Sequence, residues 1–200
     1  MIYFTSDCHF FHQNIISYCN RPFATIEEMN EVLIKNWNSF VTHEDTVYVL
    51  GDFFMGRIEW IDSVLHRLNG KIILIRGNHD SGPRIEHFKS KGIEVKDIEY
   101  IRYKGRFFIL NHFPNESKDF MKMICKDNSE VVWLYGHVHD SAPKRYVNGT
   151  YHVGTDTNNF TPISIEQIWK DCWPDELLKS KEIKNYKTKY EKENVNEWLD

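Results

Sequence analysis

A chain of 200 residues, 41% hydrophobic and 14% aromatic, can bury one sizeable core, which excludes a disordered polymer. A formal net charge of −4 at pH 7 excludes the broad basic surface that long nucleic acids demand and favours a small or short substrate. There is no apolar run of membrane-spanning length, no signal-peptide pattern at the N-terminus and no Cys-x-x-Cys pair among Cys8, Cys19, Cys125 and Cys172, so a cytoplasmic protein with independent thiols is expected.

A first strand is read over Ile2 to Ser6 and ends in Asp7-Cys8-His9. In extended chain Asp7 and His9 would share one face and Cys8 the other, so two ligands can meet one ion and Cys8 is the one cysteine placed near chemistry. His12, three residues on, can reach the same pocket. Thr25 to Phe40 reads as a helix, with a capping box from Thr25 and Glu28 and an apolar stripe of Met29, Val32, Leu33, Trp37 and Phe40. The strand Thr46 to Leu50 ends in Gly51-Asp52, and a second helix with Ile58, Ile61, Leu65 and Leu68 stops at Asn69-Gly70. Lys71 to Ile75 is a β-branched run, too short for a helix, that delivers Gly77-Asn78-His79-Asp80. Gly82-Pro83 breaks the chain before a short helix over Arg84 to Lys91.

An antiparallel hairpin is expected from Ile98 to Tyr103 and Arg106 to Leu110, ending in Asn111-His112. Ser117 to Lys126 reads as an irregular helix, and Val131 to Tyr135 as a strand that ends in Gly136-His137-Val138-His139. Asn148-Gly149 between strand-like flanks marks a second hairpin, and Thr161 to Trp169 a last strand turning into a helix. Beyond Pro174 the composition turns to lysine and glutamate, with Ile183, Tyr186 and Tyr190 at helical spacing and Trp198-Leu199 near the end.

Five strands thus end in Asp7, His9, Asp52, Asn78, His79, His112, His137 and His139. In α/β sheets ligands sit outside the carboxyl ends of strands, so these residues can converge on one crevice. Carboxylate, imidazole and amide donors without thiolate suit borderline and hard divalent ions. They are too numerous for one ion and argue for two that share a bridge, for which a carboxylate is suited. Gly51, Gly77 and Gly136 precede ligands, where a missing Cβ permits close approach.

The ordered set Asp-x-His, Gly-Asp, Gly-Asn-His-Asp, a lone His before Phe-Pro and Gly-His-x-His resembles the calcineurin-like metallophosphoesterases, from Met1 to about Trp169. The resemblance implies an α/β layered sandwich of two mixed sheets flanked by helices, as a domain over 1–173 with a helical extension over 174–200. It implies two divalent ions, manganese first, with iron, nickel, cobalt or zinc as alternatives. Asp7, His9 and His139 would bind one ion, Asn78, His112 and His137 the other, and Asp52 would bridge. His79 would be the general acid, and Asn78, His79, His12 and Arg84 would face substrate. The implied reaction is hydrolysis of a small phosphoester, a diester such as a nucleotide derivative in the lead. Alternatives are a phosphomonoesterase, a nuclease whose strip is Tyr100, Arg102, Tyr103, Lys104 and Arg106, and a non-catalytic scaffold. The chain departs from the protein-phosphatase branch at Met55 and Gly56, where that branch has Asp and Arg, and at Asp80, where it has Glu. Those changes leave open what orients His79; Arg57, Arg76 and Arg84 are the candidate replacements for the phosphate-gripping arginine.

Overall fold

The computed structural model describes residues 1–115, 130–142, 146–147 and 149–174. The chain forms two compact units, Met1–Ile165 and Glu166–Asp200. The first contains two mixed sheets. One has the order β10-β1-β2-β3-β4, built from β1 (Ile2–Thr5), β2 (Thr46–Leu50), β3 (Lys71–Ile75), β4 (Glu94–Lys96) and β10 (Ile163–Ser164); all its pairings are parallel except that of β10. The other has the order β5-β6-β7-β9-β8, from β5 (Glu99–Tyr103), β6 (Arg106–Leu110), β7 (Val131–Tyr135), β8 (Tyr146–Val147) and β9 (Thr150–His152), parallel in its centre and antiparallel at both edges. This is the expected layered sandwich.

Strand alternation divides the core. Val47, Val49, Ile72 and Leu74 pack with Met29, Leu33, Ile34 and Trp37 of α2 (Ile26–Phe40), Ile61 and Val64 of α3 (Ile58–Leu65) and Phe88 of α4 (Gly82–Ser90). The alternate residues Phe4, Leu50, Ile73 and Ile75, with Phe108, Leu110, Val132 and Leu134 of the second sheet, are also buried, which requires both faces of the central strands to be covered. The pattern explains why β2 and β3 read as unbroken apolar runs.

Several local expectations need adjustment. Thr25 accepts from the Glu28 N–H at 3.1 Å, but the Glu28 carboxylate takes the N–H of Ala24 at 2.7 Å instead of that of Thr25, so only half of the capping box closes. Phe40 is 52% exposed at the end of α2, while Ile34 and Val41 take buried places. α4 begins at Gly82 with Pro83 in its first turn, where a missing N–H costs nothing. The short α1 (Ile15–Tyr18) and β4 carry too few residues for a periodic signal. Both hairpins and the strand-to-helix turn into α5 (Ile165–Cys172) are present, although Asn148 itself lies outside the described residues. The expected helix over Ser117 to Lys126 and the C-terminal helix with Ile183, Tyr186 and Tyr190 also lie outside them. Among the described residues no helix is long and apolar enough to cross a membrane, and Cys8, Cys19 and Cys172 are free thiols.

Phe53 and Phe54 follow Asp52 directly and are fully buried, with ring centroids 4.5 Å apart and Phe10, Trp37 and Phe88 around them. This cluster anchors the Asp52 turn to the core. Phe53→Ala is expected to lower the unfolding free energy by about 3–5 kcal/mol, read from urea denaturation followed by circular dichroism; a loss below about 1 kcal/mol would mean that the cluster does not anchor the turn.

Candidate metal centre and active site

The carboxyl ends of β1, β2, β3, β6 and β7 meet at one crevice between the sheets, where Ser6 and Gly154 form a parallel bridge from one sheet to the other. The turns there are unusual. Asp7 (φ 56°), His9 (φ 51°), Asp52 (φ 53°), His137 (φ 72°) and His139 (φ 49°) all adopt left-handed backbone, which costs an L-residue on the order of 1–2 kcal/mol each. The Asp7-Cys8-His9 stretch is therefore not extended: Asp7 and His9 reach the crevice by successive left-handed turns, not by strand alternation. Cross-chain bonds hold this shape, with the Asp7 N–H on the Gly51 carbonyl at 3.1 Å and the His9 N–H on that of Asp52 at 3.0 Å. The glycines allow it. A Cβ on Gly51 would lie 2.3 Å from His112 Nδ1, one on Gly77 2.3 Å from Asp52 Oδ1, and one on Gly136 1.8 Å from Ser6 Oγ.

Asp7 and Asp52 are buried at the floor. Asp7 Oδ2 accepts from Ser6 Oγ at 2.6 Å and from the His137 N–H at 2.9 Å, whereas Oδ1 has no partner. His9 Nε2 is likewise buried without one. Asp52 Oδ1 accepts the His79 N–H at 2.8 Å. Its Oδ2 faces three imidazole nitrogens, the Nε2 atoms of His112 at 3.5 Å, His9 at 3.7 Å and His79 at 3.9 Å. These gaps are too long for good hydrogen bonds. Those from His112 and His9 are close to the spacing of about 3–3.5 Å between two donors on one first-row ion. Donor atoms of Asp7, His9 and His139 lie within 4.8 Å of one another, as do those of Asp7, Asp52 and His112. Asn78 Oδ1 lies 2.9 Å from His112 Nε2 and 3.0 Å from His137 Nδ1.

Further residues fix these donors. The Leu50 carbonyl can only accept, so His112 Nδ1, 2.8 Å away, carries the proton and leaves the Nε2 lone pair to the crevice. His139 Nδ1 lies 2.8 Å from Asp156 Oδ2, and His9 Nδ1 lies 3.2 Å from His12 Nδ1. Burial pushes the Asp7 carboxyl above its ordinary range, against the pull of His112 and His139. Burial, reinforced by His139 and Arg21, drives His9 far down. For His139 burial opposes the charge, but hydrogen bonds to Asp156 and Cys19 and the nearby Asp7 raise it to about 10. Buried carboxylate oxygen and imidazole nitrogen left unpaired side by side is a donor set suited to a cation.

Other expected residues stand apart from this floor. His12 is half-buried and touches His9 directly. Arg84 grips backbone carbonyls, those of His79 and Met55 both at 2.9 Å, and so shapes the His79 turn. Arg57 stacks on Trp60 and Arg76 pairs with Asp97 at 3.0 Å. Cys8 is buried, bonded to Thr5 and pushed up to about 12 by desolvation; Cys19, not Cys8, lies beside His139 and Asp156. Asp80 does not orient the His79 ring. Its buried carboxylate accepts the N–H groups of Gly77 at 2.8 Å, Asp52 at 3.0 Å and Phe53 at 3.3 Å, and so clamps two ligand turns together. Arg106 opens β6 while His112 lies beyond its other end, about 20 Å away at the strand rise. The Tyr103-Arg106 end of the proposed nucleic-acid strip is therefore remote from the crevice.

The sequence matches the calcineurin-like phosphoesterase family over residues 1–190. The chain belongs to this family. A calcineurin-like phosphoesterase is a hydrolase of phosphoesters, and the family implies divalent metal ions, for which the crevice supplies candidate ligands. The chain is 38% identical over 176 residues to the uncharacterized protein MJ1445 of Methanocaldococcus jannaschii, covering 84% of this chain and 89% of that protein. It is 37% identical to the Gene 66 protein of Mycobacterium phage L5, covering 77% of this chain and 86% of that one. The crystal structure of the protein of unknown function AQ665 from Aquifex aeolicus superposes with a TM-score of 0.69 at 28% identity, covering 85% of this chain and 98% of that one.

His152 was not anticipated. It is fully buried beside the crevice, with Nδ1 2.8 Å from Thr157 Oγ1, and desolvation pulls it down to about 4. In the unfolded chain it titrates near 6.5, so the unfolded state alone gains its proton as pH falls from 6.5 to 4 and stability is lost across that window. The metal-free protein should lose about 3 kcal/mol between pH 7 and pH 4 through this residue. His152→Asn should reduce the pH dependence of urea unfolding by that amount; an unchanged profile would refute it.

Proposed function

We propose that this phosphoesterase is a binuclear metalloenzyme that hydrolyses a small phosphodiester, such as a nucleotide derivative. The observation that carries the reading is the Asp52 carboxylate, pinned through Oδ1 by the His79 N–H and presenting Oδ2 between imidazoles on either side. Asp7, His9 and His139 would hold one ion, and Asn78, His112 and His137 the other, with Asp52 common to both. When bound, the two cations supply Lewis-acid polarisation of the attacking water and of the phosphoryl oxygens. Manganese is the first choice, since the donors are oxygen and imidazole nitrogen without thiolate.

The chain's own residues divide the remaining tasks. Asn78 and His79 are adjacent, and their side chains diverge, the amide toward His112 and His137 and the imidazole toward the open side. The His79 side chain is 45% exposed and its ring lies 5.6 Å from that of His9, so it can meet a leaving group. It would give its proton to the leaving oxygen as the bond from phosphorus to that oxygen breaks and the bond to water oxygen forms. An alkoxide leaving group needs this most, which favours a diester. His12, in contact with His9, stands at the edge of the same pocket. The free thiols fit a reducing compartment, and we place the protein in the cytoplasm.

Manganese-loaded protein should hydrolyse bis-p-nitrophenyl phosphate faster than p-nitrophenyl phosphate, and chelated protein should hydrolyse neither. Asp52→Asn should abolish turnover and His79→Ala should lower kcat about 10²–10⁴-fold. Preference for the monoester would defeat the diester reading. Retained metal with no turnover of any phosphoester would favour a scaffold.

A further inference from the structure

Arg21 and Asp156 belong to none of the ligand motifs, yet they form a buried ion pair next to three of the ligands. The Arg21 side chain is fully buried, with Nε donating to Asp156 Oδ1 at 2.7 Å and Nη2 to Oδ2 at 3.0 Å. The same guanidinium reaches the turn after β1, with Nη2 on the Asp7 carbonyl at 2.7 Å and Nη1 on the Cys8 carbonyl at 3.0 Å. Thr155 completes the group, its hydroxyl donating to the Asp7 carbonyl at 3.1 Å. Asp156 turns its Oδ2 to His139 Nδ1 at 2.8 Å. An arginine offers a planar fork with donors in fixed directions, so one side chain can hold a carboxylate and two carbonyls at once. A pair placed only for stability would have no reason to touch both the carbonyl of one candidate ligand and, through its carboxylate, the ring of another.

The other three candidate ligands take their side-chain contacts elsewhere, and one backbone bond, from the His137 N–H to Asp7 Oδ2 at 2.9 Å, links them to the Asp7 turn. His112 leans on the Leu50 carbonyl, and the Asn78 amide lies between His112 and His137. None of the hydrogen bonds of Arg21 or Asp156 described above goes to Asn78, His112 or His137.

We infer that Arg21 and Asp156 are positioning residues for one of the two ion positions, that of Asp7, His9 and His139. The inference rests on the binuclear reading above. Arg21 fixes the left-handed Asp7-to-His9 turn through its carbonyls, and Asp156 holds the His139 ring with Nε2 toward Asp7. The chemistry of an amide at 156 exposes the role. Asparagine has one accepting oxygen where aspartate has two. Its NH₂ must face either Arg21 Nε, donor against donor, or His139 Nδ1, which would force that nitrogen to accept and put the proton on Nε2. Either arrangement disturbs the ligand.

The test is manganese titration of the metal-free full chain, by calorimetry and by electron paramagnetic resonance of free Mn²⁺. Wild type should bind two ions. Asp156→Asn should weaken one of them about ten- to one-hundred-fold and leave the other unchanged. Thermal unfolding of the metal-free variant reports whether it is folded. Should it fail to fold, Asp156→Glu, which keeps the charge but shifts the carboxylate by one methylene, should show the same one-sided weakening to a smaller degree. Equal weakening of both ions, or of neither, overturns the inference while leaving the binuclear reading intact. A wild type that binds one ion or none overturns the binuclear reading and the inference with it.

Discussion

Two carboxylates, Asp7 and Asp52, are buried at the seam between the sheets with no lysine or arginine side chain paired to either among the described residues. Burying an anion without a counter-charge is costly, and a protein tolerates it where a cation is to be bound or where the proton is kept. The surroundings favour the cation. Imidazoles, not ammonium or guanidinium groups, face these oxygens, and Asp7 Oδ1 and His9 Nε2 are both left without a hydrogen-bond partner. The strained turns and the glycines serve the same end, since they bring backbone from both sheets closer than side chains at those positions would permit.

The strain is borne by rigid neighbours. Phe53 and Phe54 lock the Asp52 turn into the aromatic core, and Asp80 ties the same turn to Gly77 through three backbone N–H groups. Arg84 braces His79 from the opposite side through its carbonyl. His79 is thus fixed at its backbone on both flanks while its ring stays exposed.

The sequence made the layered α/β architecture and the eight strand-end residues legible for a simple reason. Each residue sits within a few positions of a short apolar run, and side-chain chemistry concentrated at strand ends is readable without coordinates. The way Asp7 and His9 share the crevice was not legible, because left-handed backbone at a non-glycine residue leaves no signature in composition or period. Asp80 was visible only as a departure from a related motif; its three backbone partners depend on how two turns approach. Arg21 and Asp156, 135 positions apart, carry common residue types and could be recognised only once folding had joined them. Cys8 was misplaced for the same reason as Asp7 and His9, since strand alternation does not continue into left-handed turns.

The bridge between Ser6 and Gly154 gives the crevice one further property. Asp7, Asp52 and Asn78 come from the first sheet, whereas His112, His137 and His139 come from the second, and Asp7 and His137 lie 130 positions apart in sequence. An ion held by both groups closes a long loop of chain, as a disulfide would, but reversibly and without oxidation. The chemistry and the closure of the sandwich would then share one fastening. Loss of such an ion would remove a long-range closure between the two sheets together with the metal itself.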